Sequence, residues 1–191
     1  MTEESTPTPP HLIEFDTPRL RVRQWRESDL APFFELACDP QVMEFLLPLP
    51  TRAESDAAAH RARALIAQKG WGFWAVERKD TGEFIGFTGL NVPMATLPFS
   101  PCVEIGWRLS RASWGQGFAT EAARGALQVG FERLGLGEIV AFTANGNLRS
   151  AAVMARLGMH EDVAGAFEHP AVPEGHALRG HRLFRIGNPR R

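Results

Sequence analysis

Between Val103 and Glu121 the chain changes its repeat within a few residues. Val103, Ile105, Trp107 and Leu109 alternate with Glu104, Gly106 and Arg108, the two-residue period of a strand. From Phe118 onward Ala119, Ala123, Leu127, Phe131 and Leu134 fall on one face of a helix. Trp114-Gly115-Gln116-Gly117 joins the two. A strand running through a glycine turn into a helix start makes a ready anion site. The free amides and the positive end of the helix dipole converge there, and glycine lets a ligand approach the backbone. A tight turn with no ligand is the plainer alternative.

The surrounding pattern sets the fold class. Residues 1–16 read as a polar tail or loose lead-in. Pro18–Trp25 sets Leu20 and Val22 against arginines, a half-buried strand. Ser28 or Asp29 can cap a helix to about Cys38, and Asp39-Pro40 opens a second short helix through Val42–Leu46, stopped by Pro48 and Pro50. Thr51-Arg52-Ala53-Glu54 is a capping box for a longer helix to Lys69, closed by Gly70. Trp71–Arg78 and Glu83–Val92 form a hairpin around Lys79–Gly82, and a proline-rich loop at Met94–Pro101 leads into the opening stretch. The helix Phe118–Leu134 is followed by a strand, Glu138–Thr143, and by a small helix, Leu148–Leu157. Met159–Ile186 then holds a loop (His169–Gly180) and a last strand around His181–Ile186. Consecutive strands followed by a βαβ unit predict an α+β fold with a mixed, mostly antiparallel sheet flanked by helices. One domain over 17–187, with a C-terminal tail of 188–191, is the expected organisation.

Composition excludes several classes. A net charge of −1 over 191 residues provides no electrostatic footprint for nucleic acid or an anionic membrane. No apolar run approaches the roughly 20 residues of a membrane span. The first ten residues have no basic or apolar region of a secretory signal. Cys38 and Cys102 stand apart, as expected of thiols in a reducing cytoplasm. His160, His169, His176 and His181 lie close in sequence, but their spacing fits no zinc pattern and no cysteine joins them, so no metal is expected.

The ligand of the glycine turn is narrowed by what is missing. Gly-Lys-Ser/Thr is absent, which disfavours a P-loop. Gly115-x-Gly117-x-x-Thr120 lacks the third glycine of a dinucleotide fingerprint, and the next strand ends in Phe142-Thr143 without a ribose-binding acid. The stretch Trp114-Gly115-Gln116-Gly117-Phe118-Ala119 instead resembles the Gln/Arg-x-x-Gly-x-Gly/Ala signature of the GNAT superfamily of N-acetyltransferases, with Trp114 in place of Gln or Arg. Glu104-Ile105-Gly106-Trp107, Trp114–Glu121, Leu134-Gly135-Leu136, Asn147-x-x-Ser150 and Leu157-Gly158-Met159 look like its Rim-type branch. Those enzymes acetylate ribosomal-protein N-termini, with relatives acting on other amines. Thr17-Pro18-Arg19-Leu20-x-x-Arg23 resembles the branch's first strand, so the likeness spans about residues 17–160.

The resemblance implies a GNAT fold whose central sheet is splayed at the cofactor site, with acetyl-CoA as cosubstrate. The amides of Trp114, Gly115, Gln116, Gly117, Phe118, Ala119 and Thr120 would take its pyrophosphate. Backbone groups of Trp107, Arg108 and Leu109 would pair with the pantetheine arm, one amide polarising the thioester carbonyl. Asn147 would hold pantetheine, cap the helix that follows, or do both. Glu104 would take the amine proton; its structural alternative is pairing with an arginine. Many family members use a tyrosine to protonate the leaving sulfur, and this chain has none. Ser150 stands where the Rim-type branch has a serine facing the sulfur; its alternative is a bond to its own helix backbone.

These likenesses imply transfer of an acetyl group to a primary amine, a protein N-terminus or a small molecule, by direct attack. A non-catalytic acyl-CoA-binding module of the same fold is the alternative. The acceptor is expected near the helices of residues 30–50 and the loop carrying Glu168, His169 and His176. The expected setting is cytoplasmic, and Rim-type relatives are often homodimers.

Overall fold

The computed structural model describes residues 11–49 and 51–190. The elements run β1 (Phe15–Asp16), β2 (Leu20–Arg23), α1 (Leu30–Cys38), α2 (Arg52–Lys69), β3 (Phe73–Arg78), β4 (Phe84–Asn91), β5 (Glu104–Leu109), α3 (Phe118–Gln128), β6 (Glu138–Ala144), α4 (Leu148–Arg156), β7 (His160–Glu168) and β8 (Gly180–Gly187). The strands form one open, mixed sheet in the order β1-β2-β3-β4-β5-β6-β8-β7, antiparallel throughout except where β5 meets β6. This is the expected α+β architecture.

Local chemistry sets the element ends. The Thr51 hydroxyl accepts from the Glu54 amide while the Glu54 carboxylate takes the Thr51 amide, and Gly70 closes α2 at φ 83°. α3 buries Phe118, Ala122, Ala123, Ala126 and Leu127, so the expected row holds at Ala123 and Leu127, while Ala119, Phe131 and Leu134 are partly buried against the core. After Gln128 the helix loosens into a π-helical turn, Val129–Arg133, instead of running straight to Leu134. Gly130 sits there against the sheet: a Cβ would come within 2.6 Å of Ile139 and 3.0 Å of Leu90.

Several expectations are corrected. Val42–Leu46 is not a helix. Single bonds from Met43 to Asp39 and from Leu46 to Met43 make separate turns, and the Asp39 side chain accepts from the Gln41 amide, an alternative to helix. The lead-in is not loose up to residue 16. The Trp74 indole donates to the Ile13 carbonyl, Phe15–Asp16 pairs with β2, and the Phe15 ring fills the space beside Gly125. At the other end Asn188 is buried, its amide bonded to Gly137 and its side chain to Leu136. β7 was unexpected, because most of its residues are exposed and carry little apolar alternation. Residues 1–10, the Pro50 stop and Arg191 lie outside the described residues.

The pairings sort the sheet into two faces. Phe87 pairs with Arg108, Gly89 with Gly106 and Asn91 with Glu104, and this face turns to α1, whose Phe33 meets Phe87 and Trp25. Leu90 pairs with Ile105 on the other face, which carries α3. A buried ion network holds β2, the α1 start and β3 together: Arg23 bonds both oxygens of Asp29 and one of Glu77 at 2.7–2.9 Å.

Candidate active site

The single registered pair between β5 and β6 is Glu104 with Val140, held by the Val140 amide donating to the Val103 carbonyl at 3.0 Å. Beyond it the strands part, while β5 stays paired with β4 through Leu109. In an extended strand alternate residues turn their peptide groups to opposite edges. Val103 faces β6, so Trp107 also presents its N–H and C=O to the gap. Arg108 turns its peptide toward β4, and the Leu109 carbonyl is taken by the Trp114 indole at 2.9 Å. Of the three expected backbone contacts, Trp107 keeps both its N–H and its C=O open to the gap, and Leu109 keeps its N–H.

The gap leads to the glycine turn. Gly115 and Gly117 have φ of 73° and 81°, the left-handed region that glycine adopts without strain. Gly117 is the N-cap of α3 and offers no side chain to its first turn. Among the described residues the amides of Gly115, Gln116 and Gly117 donate to no protein acceptor. The amides of Phe118, Ala119 and Thr120 are the unpartnered first turn of a helix. Six consecutive N–H groups therefore remain for an anion, and no Cβ crowds Gly115. That cradle fits a pyrophosphate.

Arginines brace the turn. Arg19 donates to the Gln116 carbonyl at 3.0 Å and holds the Glu121 carboxylate at 2.6 Å, with its guanidinium over the Phe118 ring. Thr17 and the Arg19 amide also donate to Glu121. Burial works against the Glu121 charge, yet these bonds hold its carboxyl below the ordinary carboxylate range. Arg149, on the first turn of α4, stacks on Trp114 at 4.8 Å and bonds Glu44. Trp114, which stands where the family signature has Gln or Arg, thus carries a cation on its face. Arg19 and Arg149 had no functional expectation attached, because their partners are distant in sequence.

Glu104 lies at the point where the strands part. Burial pushes its carboxyl above the usual range, and the 2.8 Å bond from the Asn91 amide works against that shift. No arginine pairs with it among the described residues, so the structural alternative of an ion pair is not what is seen. Asn147 caps α4: its Oδ1 accepts from the Ser150 amide, and its Nδ2 donates to Thr143. The Ser150 hydroxyl makes no hydrogen bond to the described residues, its own helix backbone included.

The acceptor-side residues separate. Glu168 is spent on Arg179 at 2.8 Å, and exposed His176 accepts from the Leu178 amide within its loop. His169 belongs to a ring cluster with Phe142, Phe167 and His181, its ring 5.0 Å from that of His181. Phe142 shares a face with Val140, the partner of Glu104, so this cluster flanks the gap on the α1 side. Burial lowers the affinity of both imidazoles for a proton. Among the described residues no group of three or more His, Cys, Asp or Glu could hold a metal.

Comparison with known proteins bears on this geometry. Residues 19–160 match the acetyltransferase (GNAT) domain family. YkkB of Bacillus subtilis, an uncharacterised protein, is 35% identical over 147 residues, covering 75% of this chain and 83% of its own. A GNAT-family acetyltransferase of Bacillus anthracis superposes with a TM-score of 0.76 at 21% identity, over 92% of this chain and 99% of its own. RimL, the ribosomal L7/L12 alpha-N-protein acetyltransferase solved in complex with coenzyme A, has the same fold, with a TM-score of 0.69 at 18% identity over 90% of this chain and 95% of its own. With its parted parallel strands opening onto a helix-start amide cradle, the chain belongs to the GNAT family of acetyltransferases, and its acyl donor is acetyl-CoA.

Proposed function

We propose that this protein transfers the acetyl group to a primary amine by direct attack, in the cytoplasm, with Glu104 as proton acceptor and Ser150 as hydrogen-bond donor to the departing sulfur. The observation that carries the reading is the parting of β5 and β6 immediately after Glu104. It leaves the β5 edge unpaired from Glu104 toward the glycine turn, which supports reading the two ends as one site. Acetyl-CoA supplies the activated thioester. The cradle of Gly115–Thr120 would hold its pyrophosphate, with Arg19 and Arg149 adding positive charge nearby. The Trp107 N–H is a free donor at the gap and would polarise the thioester carbonyl.

The amine must attack in its neutral form. An α-amino group of pKa about 8 is partly neutral at pH 7, whereas a lysine at about 10.4 is not. A carboxylate with a raised proton affinity is a better base near neutrality than an ordinary one. As the N–C bond forms and the C–S bond breaks, the amine proton passes to Glu104, directly or through water. The thiolate, a good leaving group with a pKa of about 8.5, needs only the Ser150 hydroxyl as donor.

The acceptor is a protein N-terminus or a small-molecule amine; RimL is named for the former. Free-thiol release from acetyl-CoA over a panel of N-terminal peptides and small amines tests the proposal. Release on at least one amine, with mass addition of one acetyl group to it, is expected. Tight acetyl-CoA binding with no release on any amine would overturn it.

A further inference from the structure

Among the described residues the Arg108 guanidinium, beside the gap, has no hydrogen-bond acceptor or ion-pair partner. Arg19 is spent on Glu121, Arg23 on Asp29 and Glu77, and Arg185 on Asp162 and Glu138. The guanidinium of Arg108 lies over the Phe87 ring, 5.4 Å from its centroid, and takes part in no hydrogen bond or ion pair among the described residues. Its Nε is sealed from solvent without an acceptor, although the residue as a whole keeps partial solvent contact. Burial without a counter-charge draws its pKa down to about 10, which leaves it charged at neutral pH. A desolvated, unpaired cation is costly, and buried polar groups in native proteins almost always have a partner. The planar fork of a guanidinium matches a carboxylate in a bidentate pair, as it does a phosphate.

Its position says which ligand such a partner would belong to. Glu104, Gly106 and Arg108 occupy alternate positions on the α1-facing side of β5, giving an acid, a glycine and a base in a row. The Phe73 ring covers Gly106 between them, at 3.1 Å from where a Cβ would stand. The two charged residues do not pair with each other, since four residue steps along the strand separate their Cα atoms by ~13 Å. We propose that Arg108 is a carboxylate subsite on the acceptor side of β5, so that the amine acceptor is one that also carries a carboxylate, its amino end toward Glu104 and its carboxylate on the guanidinium. This rests on the reading that the amine attacks beside Glu104. Phe73 and Phe87 form the apolar floor between the two ends.

The test uses matched amines with the purified protein: glycine, β-alanine, 4-aminobutyrate and L-phenylalanine against their carboxamides. Rates are expressed per neutral amine, because the carboxylate itself raises the amine pKa. For at least one spacing the carboxylate member is expected to be favoured by about tenfold or more in kcat/KM. Arg108→Gln should collapse that ratio to about one, chiefly through KM. Arg108→Lys, which keeps the charge without the fork, should give an intermediate ratio, and it stands in if the Gln variant does not fold. A parent enzyme that treats both members alike, or a Gln variant that lowers both alike, overturns the proposal.

A carboxylate on the acyl group would satisfy the same guanidinium. If Arg108→Gln instead removes use of succinyl-CoA on a neutral amine and leaves the acceptor ratio unchanged, the acceptor assignment falls. Should no amine be acetylated, calorimetry of the same pairs on the CoA-loaded protein separates the two readings. Selective binding of carboxylates that is lost in Arg108→Gln keeps the subsite while transfer fails, and no selectivity removes the subsite as well.

Discussion

Glu104 and Val140 form the last link between β5 and β6, and the carboxyl of Glu104 accepts from Asn91 one strand away. The residue thus marks the point where a continuous sheet becomes two halves. A carboxyl at that point is buried by both halves and yet stands at the mouth of the gap.

Glu104→Gln keeps the shape and the Asn91 contact but cannot take a proton. Turnover should fall by about 100-fold or more, the general contribution of a positioned base, with acetyl-CoA affinity retained. The parent's kcat/KM should rise with pH through a limb set by Glu104, above the ordinary carboxylate value because its proton affinity is raised. A variant whose pH profile runs parallel to the parent's would remove the base role.

The same shift makes a stability prediction. The folded pKa of Glu104 lies above its unfolded value, so in that window the folded state holds more protons than the unfolded one. Its contribution is therefore fully present at low pH and is lost as pH rises through the folded value. Removing the charge should make Glu104→Gln as stable as the parent near pH 4 and more stable at pH 7.5. Thermal unfolding across that range reads the difference, and a gap that closes with rising pH would contradict it.

Gly117 sits at φ 81° as the N-cap of α3, with the Arg19 guanidinium 3.5 Å from where a Cβ would stand. Gly117→Ala costs about 1 kcal/mol of backbone strain, whereas Gly117→Glu also puts a carboxylate in the amide cradle. Calorimetry should show acetyl-CoA affinity reduced modestly by the first and by about 100-fold or more by the second. Equal affinity in all three proteins would move the pyrophosphate elsewhere.

Glu121 fastens the cradle to the strand before it through Thr17 and Arg19. Glu121→Gln should weaken acetyl-CoA severalfold by releasing Arg19 from its contact with the Gln116 carbonyl, while leaving the amine KM alone. An unchanged Kd would show that the turn holds its shape without the clamp.

Ser150→Ala removes a hydroxyl that none of the described residues engages, so folding stability should be almost unaffected. If that hydroxyl meets the departing sulfur, turnover drops about tenfold, the value of one hydrogen bond near 1.4 kcal/mol. Single-turnover kinetics at saturating amine will show whether the chemical step is the one slowed.

Arg23→Met tests the scaffold beneath the site. It leaves buried Asp29 without its guanidinium, with only the Arg26 amide, while Glu77 keeps Arg26 at 2.7 Å. Removing one partner of a buried ion pair costs about 3–5 kcal/mol, so a loss toward the lower end is expected. Denaturant unfolding should register the loss in the midpoint, with acetyl-CoA affinity per folded molecule preserved.

The strand–turn–helix of 103–128, the capping box at Thr51, the hairpin and the α4 cap were legible because each is decided by neighbours a few residues apart. Val42–Leu46 misled, since an Asp-Pro start predicts a helix that the Asp39 side chain and two isolated turns replace. β7 was hidden because its pairing with β8 supplies the order that its own apolar pattern lacks. The lead-in looked loose because Phe15 gains its value from Trp74 and from the room beside Gly125, both remote in sequence.

The same division holds for the site. The sequence by itself determined the helix-start amides, the glycines that expose them and the acid that precedes them, because backbone conformation there follows from local residue type. Only the tertiary structure decided where β5 and β6 part, which peptide groups stay open, that Arg19 and Arg149 brace the turn, and that the Arg108 Nε is sealed with no acceptor among the described residues. Those outcomes depend on distances between segments far apart in the chain, and burial, which sets both the Glu104 shift and the Arg108 cost, has no existence until the chain has closed around them.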